Sequence, residues 1–301
     1  MSEFAIRRLL PGYRLRTAGW GKAARPRRRR TSLVAGAVLF GVVVAGCWVG
    51  PFFTGYSAFD FVASPLLPPS TAHWMGTDTL GRDVLTRVLV GGRVDLVVAV
   101  ICVVVPLLIG TVTGIAAGMT KHRWADALFV RLVDTVIAFP FVVLVLALVI
   151  VFGADRSFGP FPPGVPALLA AIIAVDWTIY ARLSRSHVLT LRGKDFVVAA
   201  QLLGYSKLRV ALRHLFPNVV GTTATYAVSD MVLIVVATAS LPFLGAGVQP
   251  PTPEWGSIMY EGRSVLASAW WVTVAPGLVL ILFGVSVTLM ADFLIRARGS
   301  E

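Results

Sequence analysis

The sequence predicts an all-α membrane protein whose six transmembrane helices place both termini in the cytoplasm. Of its 301 residues, 56% are hydrophobic and 14% are charged, whereas soluble domains carry roughly 25% charged residues. That composition excludes a typical cytosolic enzyme, a disordered chain and a coiled coil. A helix needs roughly 20 apolar residues to cross about 30 Å of hydrocarbon. The stretches that meet this requirement are residues 33–53, 95–119, 129–152, 165–181, 221–245 and 270–295.

The basic residues predict the orientation of these spans. The chain has 27 lysines and arginines against 15 acidic residues, which gives a net charge of +12. All but five of the 27 fall on the side that holds both termini, and the positive-inside rule makes that side cytoplasmic. Because the basic residues flank apolar runs, they indicate contact with a membrane surface, and no nucleic-acid partner is expected.

These spans predict how the chain is organised. A basic cytoplasmic tail is followed by the first helix, an extracytoplasmic segment, a core of five further helices and a second short cytoplasmic tail. The core includes a long cytoplasmic loop at residues 182–218. The predicted boundaries are 1–32, 33–53, 54–93, 94–295 and 296–301.

The first span has an alternative interpretation. A basic region and an apolar run ending at Cys47 resemble a lipoprotein signal peptide, and the arginines at residues 27–30 resemble a twin-arginine signal. Cleavage before Cys47 would leave five spans and reverse the charge bias of every later loop. We therefore expect the first span to be retained.

The extracytoplasmic segment ends in an amphipathic pattern. Apolar residues on one face of residues 80–90 predict a short helix lying on the outer membrane surface, with Asp83 and Arg87 paired four residues apart. A solvated connector is the alternative, and the pattern does not decide between the two.

The cytoplasmic loop at residues 182–218 is too long and too patterned for a simple turn. Residues 196–203 are helical in composition, and Gly204 is suited to end that helix in a left-handed turn. A basic, amphipathic run follows at residues 207–216. Two short helices projecting into the cytosol predict a docking surface, and a segment lying on the membrane surface is the alternative.

The sequence contains no pattern typical of a catalytic or cofactor site. Neither of its Gly-Lys pairs, at residues 21–22 and 193–194, has the earlier glycine of a phosphate-binding loop. The four histidines are widely separated, and Cys47 and Cys102 are too few for a zinc site. We expect no metal site, no cofactor and no enzymatic activity in this chain.

Two features within the spans need explanation. Gly110, Gly114 and Gly118 recur every four residues and predict a smooth ridge for close helix packing. Charged residues are costly inside a membrane and usually face a bundle interior or water.

The three carboxylates concerned have different expected roles. Asp134 is expected to pair with Arg131 at the inner edge of the membrane. Asp176 and Asp230 lie near mid-span, where they either line a polar translocation path or are neutral and hydrogen-bonded within the bundle.

Three stretches, at residues 76–93, 199–218 and 243–256, together resemble the permease subunits of binding-protein-dependent ABC importers. The likeness is greatest to the second permease of dipeptide, oligopeptide and nickel systems. One departure is that Val198 stands where the family's cytoplasmic motif usually carries glutamate.

The resemblance implies the type I ABC importer permease fold and a place in the cytoplasmic (inner) cell membrane. The chain would form half of an ATP-driven path for short peptides, with nickel or another solute as the alternative. It implies four kinds of partner: a related second permease, two ATPase subunits that bind ATP and Mg²⁺, an extracytoplasmic solute-binding protein, and membrane lipid.

The resemblance also implies which residues meet those partners. Contact with the binding protein is expected at Asp78, Arg82, Asp83 and Arg87. Coupling to the ATPase is expected at Val198, Ala199, Ala200, Leu203, Gly204, Arg213, His214 and Pro217.

Two other classes of function stay open on the residues alone. An ion-coupled secondary transporter would use Asp176 and Asp230 as ion or proton sites and would take up solute without any ATPase. A scaffold protein would bind a partner and transport nothing.

Overall fold

The computed structural model describes residues 26–153 and 157–298. Most of the predicted cytoplasmic tail at residues 1–32, and residues 299–301 of the second tail, lie outside the described residues. The helices, in chain order, are α1 (Pro26–Val49), α2 (Pro51–Thr54), α3 (Val84–Met119), α4 (Arg123–Ile137), α5 (Phe141–Phe152), α6 (Val165–Leu191), α7 (Asp195–Leu202), α8 (Lys207–Val210), α9 (Phe216–Ser240), α10 (Trp255–Gly262) and α11 (Trp271–Arg298).

Within residues 26–153 and 157–298, five segments are long and apolar enough to cross a membrane, and a sixth qualifies only as a bent pair. The five are Thr31–Val49, Val84–Met119, Val165–Leu191, Lys207–Leu244 and Trp271–Ile295. The longest of the five joins α8 to α9 through a π-helical turn, Ala211–Leu215.

The sixth candidate consists of α4 and α5, which meet at an angle of 92°. Pro140 stands at the junction as the residue that precedes α5. Proline has no backbone N–H and clashes with the preceding turn, so a continuous helix breaks there. The span predicted at residues 129–152 is therefore two short helices.

The predicted surface helix at residues 80–90 is wrong, because residues 84–90 form the first turns of α3. Asp83 caps α3: its Oδ2 accepts hydrogen bonds from the backbone N–H of Thr86 at 2.8 Å and from the Thr86 hydroxyl at 2.7 Å. At 36 residues, α3 is about 54 Å long, which exceeds the hydrocarbon thickness, so its outer turns project beyond the membrane or the helix tilts.

The glycine ridge on α3 lies against α6. A Cβ atom at Gly110 would lie 2.4 Å from the Trp177 carbonyl oxygen, and one at Gly114 would lie 2.4 Å from that of Ala181. At Gly118 a Cβ would meet Val188 Cγ1 at 2.7 Å. Only glycine permits this approach of the two backbones, which is the close packing that the four-residue spacing predicts.

In the part of the chain that the structure describes, the buried apolar residues form three clusters. The first joins α3, α5, α6 and α9, and the second joins α1, α3, α10 and α11. The third lies at the cytoplasmic end and is the one that positions the long loop. Its buried members are Ile115, Val188, Val197, Ala200, Val210, Leu215 and Val219.

Candidate functional site

The cytoplasmic loop contains two short helices joined by a defined turn. Helix α7 ends at Leu202, and Gly204, two residues later, has a left-handed φ of +79°. The N–H of Gly204 donates to the Gln201 carbonyl at 3.0 Å, and the N–H of Tyr205 donates to that of Ala200 at 3.1 Å. This hydrogen-bond pair is the Schellman arrangement, which satisfies the last carbonyls of a helix.

Helix α7 has one buried side and one exposed side. Val197 and Ala200 are 0% and 4% exposed and pack in the third cluster, against residues from α3, α6 and α9. The opposite side presents apolar side chains to solvent, and we call it the coupling face. Its members are Phe196, Val198, Leu202 and Leu203, of which Leu202 is 84% and Leu203 75% exposed.

An aromatic contact braces the coupling face from the second half of the loop. The His214 ring lies 6.3 Å from the Phe196 ring and 6.1 Å from the Tyr205 ring, centroid to centroid. The Arg209 guanidinium stands 5.2 Å from the Tyr205 ring centroid, within the range of a cation–π interaction. These ring contacts hold α7 and α8 in a defined orientation relative to each other.

The residues expected to couple to an ATPase do not all lie on one surface. Ala199, Gly204, Arg213 and Pro217 are exposed, as are the coupling-face members Val198 and Leu203. His214 is half-buried, and Ala200 is buried against the bundle. Ala200 therefore faces the bundle and is not available to a partner in this conformation.

On the outer side, two arginines and two carboxylates form a network between the start of α3 and α10. Arg87 Nη1 lies 2.5 Å from Asp78 Oδ2 and 2.6 Å from Glu261 Oε2, and its Nη2 donates to Glu261 Oε1 at 3.1 Å. Arg82 donates to the same two carboxylates at 2.7 and 2.8 Å. The predicted pairing of Asp83 with Arg87 is wrong, because Asp83 caps α3.

Apart from Glu261, whose side chain is 25% exposed, the members of this network are buried, and so is the neighbouring Asp83. The exposed fractions of Asp78, Arg82, Asp83 and Arg87 are 0%, 6%, 2% and 1%. Side chains this buried do not contact a binding protein in this conformation, so the expected direct contacts are corrected to a structural role. The network fixes the extracytoplasmic segment onto α10.

Further groups extend this outer framework and were not found from the sequence. His73 Nδ1 lies 2.9 Å from Asp83 Oδ1, and the Tyr56 ring lies 4.8 Å from the His73 ring. Trp271 donates from Nε1 to the Thr77 carbonyl at 3.2 Å. Each of these contacts joins residues at least ten apart in the chain, which local periodicity does not relate.

A buried carboxylate caps α10. Glu254 accepts hydrogen bonds from the backbone N–H of Gly256 at 2.8 Å and of Ser257 at 2.7 Å, while Asp95 accepts from that of Trp255 at 3.0 Å. Burial raises the pKa of Glu254 above its usual value, and the two backbone hydrogen bonds oppose that rise. The position of α10 thus depends on polar groups removed from solvent.

Asp176 on α6 and Asp230 on α9 are both buried within the bundle. Both are 2% exposed, and the Tyr180 hydroxyl donates to Asp230 Oδ2 at 2.9 Å. The Tyr180 and Tyr226 rings pack edge to face at 5.3 Å. Asp176 Oδ2 is buried and has no hydrogen-bond partner among the described residues. Because a buried carboxyl group without a basic partner is costly in its charged form, this arrangement favours neutral groups within the bundle over an open polar path.

Asp134 has a different partner from the one expected. It forms an ion pair with Arg182 on α6, not with Arg131 on its own helix. Both side chains are about half exposed, at 49% and 56%, so the contact contributes little to stability.

We expect the double variant Asp176→Asn, Asp230→Asn to retain solute uptake. Asparagine preserves the size and hydrogen-bonding ability of both groups, and an interhelical hydrogen bond in a membrane averages about 0.6 kcal/mol. Uptake into proteoliposomes measures the outcome. An ion-coupled transporter, by contrast, would lose uptake when both carboxylates are replaced, and that loss would contradict the structural role.

The chain is similar in sequence to the proteins of one known family. The family model described as the binding-protein-dependent transport system inner membrane component matches residues 110–299. The chain is 34% identical over 268 residues to the di/tripeptide transport system permease protein DppC of Pseudomonas aeruginosa (strain UCBPP-PA14), covering 85% of this chain and 84% of that protein.

Two further relatives and one solved structure agree with this assignment. The dipeptide transport system permease protein DppC of Alkalihalophilus pseudofirmus is 32% identical, with 91% of this chain and 87% of that protein covered. The glutathione transport system permease protein GsiD of Pectobacterium atrosepticum is 30% identical, with 88% and 85% covered. The crystal structure of an amino acid ABC transporter with histidines shares the fold, at a TM-score of 0.53 and 13% identity, covering 70% of this chain and 94% of that chain.

Proposed function

The chain belongs to the family of binding-protein-dependent transport system inner membrane components, the permease subunits of ABC importers, and from that premise we propose that it forms half of a translocation path for short peptides. The relatives support this substrate class, since they are named as permeases of di/tripeptide, dipeptide and glutathione transport systems. Nickel or another small solute is the alternative cargo. We propose the cytoplasmic membrane as its location and a related permease as its partner in the path.

The observation that carries the coupling proposal is the two-sided helix α7. Its coupling face exposes four large apolar side chains to the cytosol, and such a patch marks an interaction site. An ATPase subunit that binds this face covers Leu202 and Leu203, which this chain leaves 84% and 75% exposed. ATP and Mg²⁺ would be held by that subunit.

The buried side of α7 provides a route for movement. Val197 and Ala200 pack with Ile115 of α3, Val188 of α6 and Val219 of α9. Protein interiors are closely packed and transmit displacement, so movement of α7 by an ATPase would also move these three helices. Their relative motion would open the path alternately outward and inward.

The replacement of the family's usual glutamate by Val198 alters the chemistry of docking. Val198 is 40% exposed on the coupling face, beside other apolar side chains. We propose that it adds an apolar contact in place of a polar one, so docking here depends more on burial of hydrocarbon.

On the outer side, the buried arginine–carboxylate network would act indirectly. It holds the segment before α3 against Glu261 of α10. We propose that a solute-binding protein meets the exposed surface of this segment, and that the network keeps that surface in place.

Replacing Leu203 with aspartate tests the docking proposal. Because Leu203 is 75% exposed, the change should leave the bundle folded, and a carboxylate buried in an apolar interface costs several kcal/mol. We expect co-purification of the ATPase and ATP-driven peptide uptake in proteoliposomes to be largely lost.

Leu80→Asp is the matched control for that variant. Leu80 is 50% exposed on the outer side, so the same change there should leave ATPase co-purification intact. Retention of the ATPase by the Leu203 variant would count against the coupling face. Uptake by the unaltered chain with no ATPase present would favour a secondary transporter, and no uptake under any condition would favour a scaffold.

A further inference from the structure

Two adjoining cavities lie between the cytoplasmic loop and the cytoplasmic ends of α3 and α6. The first has a volume of about 510 Å³ and the second about 440 Å³. Met119, Thr120 and Lys207 line both of them, so the two cavities are adjacent. Neither cavity belongs to the coupling face, whose four members line neither one.

The first cavity is basic. Lys121, Arg192 and Lys207 line it, while no aspartate or glutamate does. All three cations are exposed, and none forms an ion pair with a carboxylate among residues 31–153 and 157–295. Three exposed basic side chains that line one cavity, with no carboxylate in its lining, are complementary to an anion.

The second cavity is almost entirely apolar. It runs along α3 and the α8–α9 segment, and Lys207 and Thr120 stand only at its junction with the first cavity. Leu208 and Leu212 on its rim are 68% and 60% exposed. The apolar lining consists of Val112, Ile115, Ala116, Met119, Leu208, Ala211, Leu212 and Phe216.

We propose that these cavities together bind one anionic phospholipid of the cytoplasmic leaflet, with its phosphate among Lys121, Arg192 and Lys207 and an acyl chain along the apolar cavity. A soluble phosphate would use the cations but would leave the adjoining hydrocarbon groove unfilled. The site lies at the ends of two spanning helices, where head groups are found. The cytoplasmic leaflet is the one that carries anionic lipid and attracts basic clusters.

The position of this site gives the lipid a contact with the coupling loop. Val197, Gln201 and Tyr205 also line the basic cavity. The lipid would therefore support α7 from the side opposite its exposed leucines. This contact goes beyond docking of an ATPase, because it places a lipid beneath the helix that docks.

Lipid binding to the purified full-length permease complex tests the proposal, with native mass spectrometry to count bound phosphatidylglycerol and phosphatidylcholine. Replacing each of Lys121, Arg192 and Lys207 with glutamine should weaken phosphatidylglycerol binding about fivefold, and the triple variant about a hundredfold. Phosphatidylcholine binding should change little.

Two further variants separate the head-group site from its alternatives. Ala116→Phe fills the apolar groove from an exposed helix position while keeping all three cations, and it should also weaken phosphatidylglycerol binding. Arg123→Gln removes an equally exposed cation that lines neither cavity, and binding should persist.

Specific results would overturn the proposal. One is equal phosphatidylglycerol binding by the unaltered and triple-variant complexes. Lys121 and Arg192 would then interact only with the C-terminal ends of the helices that they follow. Another is full competition by inorganic phosphate with no effect of Ala116→Phe, which would make the ligand a soluble anion. ATPase co-purification, measured on the same samples, reports docking separately from lipid binding.

Discussion

Replacing Gly204 with valine is expected to uncouple ATP hydrolysis from uptake while the helical bundle stays folded. Gly204 has a φ of +79°, and a Cβ there would meet nothing within 4 Å. The penalty therefore comes from the backbone alone and not from crowding. An L-residue in the left-handed region costs about 1–2 kcal/mol, which shifts the population of the native turn by a factor of about 5–30.

The consequence follows from what the turn does. The hydrogen bonds from Gly204 and Tyr205 back to α7 fix the angle between α7 and α8. If the turn takes another conformation, the coupling face no longer has a fixed position relative to the helices against which Val197 and Ala200 pack. ATP hydrolysis and peptide uptake, measured together in proteoliposomes, should then lose their proportionality.

Two matched variants make this result specific. Gly193 lies on the same loop, a Cβ there would also meet nothing within 4 Å, and its φ is not left-handed, so coupling should persist in Gly193→Val. Gly204→Asn should retain most coupling, because asparagine tolerates the left-handed conformation. Normal coupling in Gly204→Val, or equal loss in Gly193→Val, would contradict the role of the turn.

The cytoplasmic loop could be predicted from sequence because its signals are local. A glycine after a helical run, within five residues of the carbonyls that it helps to satisfy, identifies the end of α7. The glycine ridge on α3 is local in the same sense, since its spacing alone places three residues on one face. Apolar length likewise predicted most spans, because hydrocarbon thickness fixes the number of residues needed.

The start of α3 could not be predicted in the same way. Gly91 and Gly92 follow the predicted surface helix, where glycines are typical of a break. In the structure a Cβ at Gly92 would lie 2.4 Å from Cys47 Sγ, and one at Gly91 would lie 3.1 Å from the Glu254 backbone nitrogen. These glycines permit close packing within a continuous helix, and that depends on residues far away in the chain.

The ion-pair partners of Arg82 and Arg87 also could not be predicted from local sequence patterns. Arg87 and Glu261 are 174 positions apart, so no periodicity relates them. Spacing suggested Asp83 as the partner, but a helix cap needs an acceptor at that position and uses its carboxylate. Asp83 acts as a helix cap and does not pair with Arg87 because α3 begins at the next residue.

Replacing Arg87 with methionine is expected to destabilise the protein by about 3–5 kcal/mol, the cost of breaking a buried ion pair by removing one partner. The side chain is 1% exposed and donates to both Asp78 and Glu261. Methionine fills much of the space but leaves two carboxylates with one fewer cation. Thermal unfolding of the purified protein measures the loss.

A second change should recover part of that loss. Adding Glu261→Gln to Arg87→Met removes one of the stranded charges, and replacing both partners of a buried pair costs far less than removing one. Arg263→Met is the control, because Arg263 is exposed on the same side and stacks on Tyr260 at 3.5 Å. If Arg87→Met were no more destabilising than Arg263→Met, the network would not hold the outer segment. If the double variant were as unstable as Arg87→Met alone, the loss would come from packing, because charge removal would then have changed nothing.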